Sequence, residues 1–296
     1  MSTINIDNII ETTLLNANKE LAECLRCDVM LLCAPMVQPV DDEVRCCIEK
    51  MVESGERKLG VVLETIGGYI EVVERIYSVL RHHYQEVVFI IPNFAYSAGT
   101  VLVLSGDEIY MDYYSVLGPI DPQIISGDDY VPGIGYLLKF NELLETVNKD
   151  ITGEKTRGEM ALLLTKFDPA KLFFIEQAKK RSIDLLKEWL PKHKFKDWKE
   201  TESSGKPVTK AMKQDRAEGI AEVLGNPERW RSHGRGIGIK DLESEEIKLK
   251  INCFSGDIKL NNAIRNYYNL TMDYFTKKIG VRSFIHSSYG TRRINV

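Results

Sequence analysis

The chain has 296 residues, 44% hydrophobic and 28% charged, a balance that allows one large core or two modest ones and excludes disorder of the whole. Its net charge of −4 is spread along the chain apart from a basic helical run near Lys179 to Lys199, so no nucleic-acid partner is expected. Six cysteines in a chain of this length, two of them adjacent at Cys46 and Cys47, do not make the pattern of a disulfide framework and fit a reducing cytoplasm.

The N-terminus has neither a basic leader nor an apolar signal core, and Ile6, Ile9, Ile10, Leu14, Leu15 and Leu21 recur near helical spacing, so residues 1–27 are expected to form an amphipathic leading helix. Cys24-x-x-Cys27 lacks a second such pair or a nearby histidine and reads as buried small apolar side chains rather than a metal site. From there strand and helix signals alternate. The apolar "DVMLLCAPM" from Asp28 is a strand, and "DDEVRCCIEKMVES", with its acidic first turn, is a helix. "KLGVVLET" is a second strand and "YIEVVERIYSVLRHHY" a second amphipathic helix. "EVVFIIPN" is a third strand, "SAGTVLVLSG" a short apolar helix and "EIYMD" a fourth strand. The uncharged run Val87 to Gly106 is long enough to cross a membrane, but Pro92-Asn93 and Ser97-Ala98-Gly99 divide it, so no transmembrane segment is expected. Strands alternating with helices in this way predict repeated βαβ units and a parallel sheet over residues 28–200, with a mostly helical region over 201–296.

In an open parallel sheet, function gathers where strands end and helices begin. Two junctions stand out. Gly67-Gly68 follows the second strand, and a diglycine there frees the backbone to turn its amides toward a ligand. Ser97 follows the third strand at a helix start, where the amides of Ala98 and Gly99 are not yet used and the helix dipole favours negative charge. Singly, each has a plainer reading: an N-cap serine and an ordinary turn. Together they supply an attacking oxygen and N–H groups for the oxyanion it creates, which is what acyl transfer requires.

"GG" after a strand, then "SAGT" opening an apolar helix, then "DEIYMDYYSVLGPIDPQ", resembles the serine dehydrogenase proteinase family of the Clp-protease/crotonase superfold, related to signal peptide peptidase A. The resemblance runs from Val29 to Gln123 and more weakly to Leu242. It implies Ser97 as nucleophile and Gly68 and Ala98, beside Gly67, as the oxyanion hole. The Clp-type histidine has no counterpart here: its place holds "IDPQ" with Asp121, and an aspartate, with an ordinary pKa of about 4, is a weak base at neutral pH. Two other bases are open. Lys139 in "GYLLKFNELLE" corresponds to the lysine of a serine–lysine dyad, although its leucine-rich helix equally suits a snorkelling surface lysine. His233 lies in the glycine-rich loop "RWRSHGRGIGI". His193 and His286 have no context that singles them out.

The expectation is an α/β, Clp/crotonase-like serine peptidase that cleaves peptides through a Ser97 acyl-enzyme, needs no metal or organic cofactor, and forms homo-oligomers by analogy with the superfold. An inactive peptide-binding protein on the same fold and a crotonase-type acyl-CoA enzyme are the alternatives.

Overall fold

The computed structural model describes residues 6–126, 129–149, 154–201 and 205–296; the first five residues of the expected leading helix lie outside them. The first half runs α1 (Ile6–Leu25), β1 (Asp28–Cys33), α2 (Val40–Met51), β2 (Lys58–Glu64), α3 (Ile70–His83), β3 (Glu86–Ile90), β4 (Phe94–Ala95), α4 (Ala98–Val103), β5 (Glu108–Met111) and β6 (Val116–Leu117). A hairpin, β7 (Gln123–Ser126) and β8 (Asp129–Pro132), leads into α5 (Gly133–Lys149), α6 (Glu154–Lys166) and α7 (Pro169–Lys192). Then follow α8 (Lys210–Leu224), α9 (Pro227–Trp230), α10 (Ile239–Leu242), β9 (Asn252–Cys253), α11 (Ile258–Met272), β10 (Phe284–Ser287) and β11 (Gly290–Arg293).

Among the described residues seven strands form the central sheet in the order β11-β10-β1-β2-β3-β5-β9. The run from β1 to β9 is parallel, and β10 and β11 are antiparallel beside β1. The four strands expected from sequence are its centre. The C-terminal region, read as mainly helical, also contributes β9, β10 and β11. These strands are short and β10 carries His286 and Ser287 in a fully buried setting, so neither length nor an apolar run marks it in the sequence.

Strand alternation divides the core. Met30, Leu32, Val61 and Phe89 face α2, α3, α4, α7 and α8, whereas Val29, Leu31, Val62 and Val88 face α1 and α11. Parallel strands covered on both faces need apolar residues on both, which explains the unbroken burial of "VMLLC" in β1. α1 adds Leu14 and Leu21, both fully buried, and each such side chain stabilises the fold by about 1.5–3 kcal/mol. No described helix is long and apolar enough to cross a membrane.

Candidate active site

β2 and β3 are neighbours, and the bridge between Thr65 and Ala95 carries their pairing past the strand ends, so the two junctions lie side by side. Gly67 has φ +92° and Gly68 φ +148°, both closed to most side chains. A Cβ on Gly67 would stand 2.8 Å from Ser97 Cβ, and one on Gly68 would stand 2.4 Å from the Met36 carbonyl oxygen. The diglycine is therefore required by space as well as by conformation. Met36 N–H donates to Gly67 O and Tyr69 N–H to Met36 O, each at 2.8 Å. Gly68 sits between these bonds, so its own N–H is not used by them. The Gly67 N–H donates to Thr65 Oγ1 at 3.1 Å, so it is already used within the turn.

Ser97 occupies the residue before α4 with φ 54° and ψ −120° and makes no side-chain cap bond. A capping serine has extended backbone and a hydroxyl on the helix amides; this one has neither. Its conformation is that of a sharp strand-to-helix elbow, which stores strain and lifts the hydroxyl out of the local backbone network. Two buried threonines that sequence reasoning missed brace the elbow. Thr65 accepts Tyr96 N–H through its carbonyl at 2.9 Å, and its N–H donates to Phe94 O. Thr100 Oγ1 lies 2.9 Å from the carbonyls of both Ala95 and Gly118 and accepts Gly118 N–H at 3.0 Å. Both threonines stand beside the junctions, Thr65 at the end of β2 and Thr100 in the first turn of α4, and Gly118 comes from the turn after β6.

Gly118 passes so close to the elbow that a Cβ there would meet Ser97 N at 3.2 Å. The next strand pair then delivers the polar groups. Leu117 and Ile237 exchange both backbone hydrogen bonds, at 3.0 and 2.8 Å, in an antiparallel bridge. Four residues after Leu117 stands Asp121, and four residues before Ile237 stands His233; antiparallel register brings them together. His233 Nδ1 is 2.9 Å from Asp121 Oδ1, with the Asp121 side chain 1% exposed and that of His233 12%. A carboxylate only accepts, so Nδ1 donates this bond and Nε2 is the ring nitrogen left for another partner. The loop holding His233 is anchored by Trp230, whose indole N–H donates to Val223 O at 2.8 Å and whose ring lies under the guanidinium groups of Arg229 and Arg235.

Lys139 stands on α5, where its side chain is 72% exposed and paired with Glu142 at 2.5 Å. Cys27 is buried against Gly60, and burial pushes its thiol up to about 12, away from reactivity.

A parallel sheet with a serine elbow beside a diglycine turn is the architecture of ClpP-like hydrolases. The model of the ClpP-like SDH-type serine proteinase family matches residues 41–211, more than half the chain, and the chain belongs to that family. Two uncharacterized proteins of Methanocaldococcus jannaschii are similar over shorter stretches: one is 36% identical over 69 residues, covering 23% of this chain and 24% of that protein. The other is 39% identical over 66 residues, covering 22% and 23%. The chain thus aligns with about a quarter of the length of these curated relatives. Two solved structures of the 1510-N membrane-bound stomatin-specific protease, the second in complex with a substrate peptide, superpose with a TM-score of 0.44 each. Their identities are 11% and 13%, over 76% and 77% of this chain and 78% and 75% of theirs.

Proposed function

We propose that the chain is a serine peptidase in which Ser97, His233 and Asp121 act as nucleophile, general base and orienting carboxylate. The observation that carries this is the strained, uncapped Ser97 elbow set between the diglycine turn and the strand pair that bears the His233–Asp121 hydrogen bond. In the first half-reaction Ser97 Oγ bonds to the peptide carbonyl carbon while its proton passes to His233 Nε2. The carbonyl oxygen takes the negative charge, which the N–H groups of Gly68 and Ala98 receive. The C–N bond then breaks as the imidazolium returns the proton to the leaving amine. Water, deprotonated by the same imidazole, releases the acid product from the ester.

Family membership supports peptidase chemistry over an inactive binding protein or an acyl-CoA enzyme. The substrate is a peptide or protein, and the six free cysteines support a cytoplasmic setting. Assembly into homo-oligomers is part of the same reading, supported by exposed apolar side chains on α5, α6 and α7.

A serine-reactive fluorophosphonate tests the assignment. Wild-type protein should be labelled, Ser97→Ala should not, and His233→Ala should be labelled at least a hundredfold more slowly, in line with the contribution of a general base. Lys139→Ala should label at the wild-type rate. Loss of labelling in Lys139→Ala with retention in His233→Ala would transfer the base to the lysine.

A further inference from the structure

The segment that carries the nucleophile is held from outside the family match. After β3 the chain passes through Pro92, Asn93 and β4 to reach Ser97. Arg265, on α11, donates from Nη1 to Pro92 O at 2.8 Å, and its other terminal nitrogen bonds the Asp112 carboxylate. Asp112, 2% exposed, is the hub of the neighbouring turn: it also accepts the N–H groups of Tyr114 and Ser115, at 2.9 and 3.1 Å. Ser115 Oγ in turn donates to Ile91 O. One helical turn on, the Tyr268 hydroxyl bonds Glu64 at the end of β2, and the same Glu64 oxygen accepts Asn93 Nδ2–H at 2.9 Å. Both grips come from one helix and both close on the residues between β3 and the elbow.

Packing alone does not require this arrangement. Ala263, Ile264 and Tyr267 already seat α11 on the sheet, whereas Arg265 reaches past that contact with a side chain still 24% exposed. A guanidinium fork that takes a main-chain carbonyl and a carboxylate at once fixes the position of both, which a single ammonium cannot do. Burial opposes ionisation of Asp112, but the Arg265 hydrogen bond, together with the Tyr114 amide, outweighs it and holds the carboxyl below its ordinary range.

We propose that α11 sets the geometry of the nucleophile elbow, with Arg265 and Tyr268 as positioning residues that act through Pro92 and through Glu64 and Asn93. This rests on the peptidase reading, and the test separates the two. Because Arg265→Ala would strand the buried Asp112 carboxylate, the informative variants are Arg265→Lys, which keeps the charge without the fork, and Tyr268→Phe, which keeps the ring without the hydroxyl. Two measurements are made on each folded protein. Amide exchange of residues 93–98 reports whether the segment is held, and should accelerate about tenfold as local opening becomes easier. Fluorophosphonate labelling and peptide turnover report whether the hold matters for chemistry: labelling rate and kcat should fall ten- to a hundredfold, about the cost of an ångström of misplacement, with KM within twofold.

Exchange within twofold of wild type in both variants overturns the proposal. So does faster exchange with wild-type labelling and kcat, since α11 would then only stabilise the segment. If wild-type protein itself resists the probe, the peptidase reading fails, and amide exchange alone decides whether α11 holds the elbow.

Discussion

At the scale of single residues the decisive angle is φ 54° at Ser97, because an L-residue with that φ and ψ −120° is strained by about 1–3 kcal/mol. Ser97→Ala keeps the strain and has no cap bond to lose, so its stability should lie within about 0.5 kcal/mol of wild type. Ser97→Gly relieves the strain at an entropic cost of about 0.5–1 kcal/mol, so it should melt a few degrees higher. Thermal unfolding of the three proteins checks this, and a Ser97→Ala protein several degrees less stable would return the serine to a structural role. Asp121→Asn makes a complementary prediction. An asparagine amide would donate to His233 Nδ1 and drive the proton to Nε2, the atom that the proposed reaction uses as base, so kcat should fall by on the order of a thousandfold with the fold intact. A turnover within tenfold of wild type would remove Asp121 from the mechanism. Gly68 is a poor place for such a test, since any Cβ there meets the Met36 carbonyl and mixes folding with chemistry.

At the scale of elements, β1, β2, β3 and β5 and the helices between them are legible because each carries its own periodicity and its own turn. Ser97 stands out because it interrupts an apolar run, and Gly67-Gly68 because a diglycine directly after a strand frees the backbone. The His233–Asp121 pair is different. Its residues stand out separately in the sequence, but only the antiparallel register of Leu117 with Ile237 joins them, and a bridge between distant segments leaves no periodic trace. β10 is hidden likewise, since it has four residues, of which only Phe284 and Ile285 are apolar, and its partner β1 lies at the far end of the chain. It carries His286, fully buried, whose Nδ1 is 2.7 Å from the Tyr267 hydroxyl, itself 3.1 Å from Asn18 Nδ2. Burial lowers the His286 pKa from 6.5 to about 4, and the Glu11 carboxylate, 3.9 Å from Nε2 and 35% exposed, does not offset it. The folded state thus refuses a proton that the unfolded chain accepts below about pH 6.5, so stability is lost as pH falls from 6.5 toward 4. At pH 5 the loss through this group should be about 2 kcal/mol. His286→Asn, which does not titrate, should show a shallower fall in denaturant midpoint between pH 7 and 5; parallel curves would show that His286 does not carry the effect.

At the scale of the whole molecule, large apolar side chains are exposed both beside the diglycine, at Ile66 and Tyr69, and on the helices after the hairpin. Ser97, His233, Asp121 and the diglycine all belong to one copy, so a single chain contains every group the proposed reaction uses. The helices after the hairpin expose Leu138, Met160, Leu162, Phe173 and Phe174, with the two phenylalanines 62% and 59% open to solvent. Side chains of this size left in water on one helical segment are what self-association would cover. Burial of one phenylalanine contributes about 1.5–3 kcal/mol, so the pair accounts for a hundredfold or more in the dissociation constant, and a carboxylate in its place adds a desolvation cost. The double variant Phe173→Glu, Phe174→Glu should therefore sediment as a monomer at concentrations where wild-type protein is oligomeric. Its fluorophosphonate labelling per chain should stay within about twofold of wild type, because surface substitutions away from the elbow leave the site unchanged. Wild-type protein that sediments as a monomer at every concentration would end the oligomer reading. A monomeric variant that no longer labels would show instead that the site is completed by a neighbouring copy, against the single-chain assignment of Ser97, His233 and Asp121.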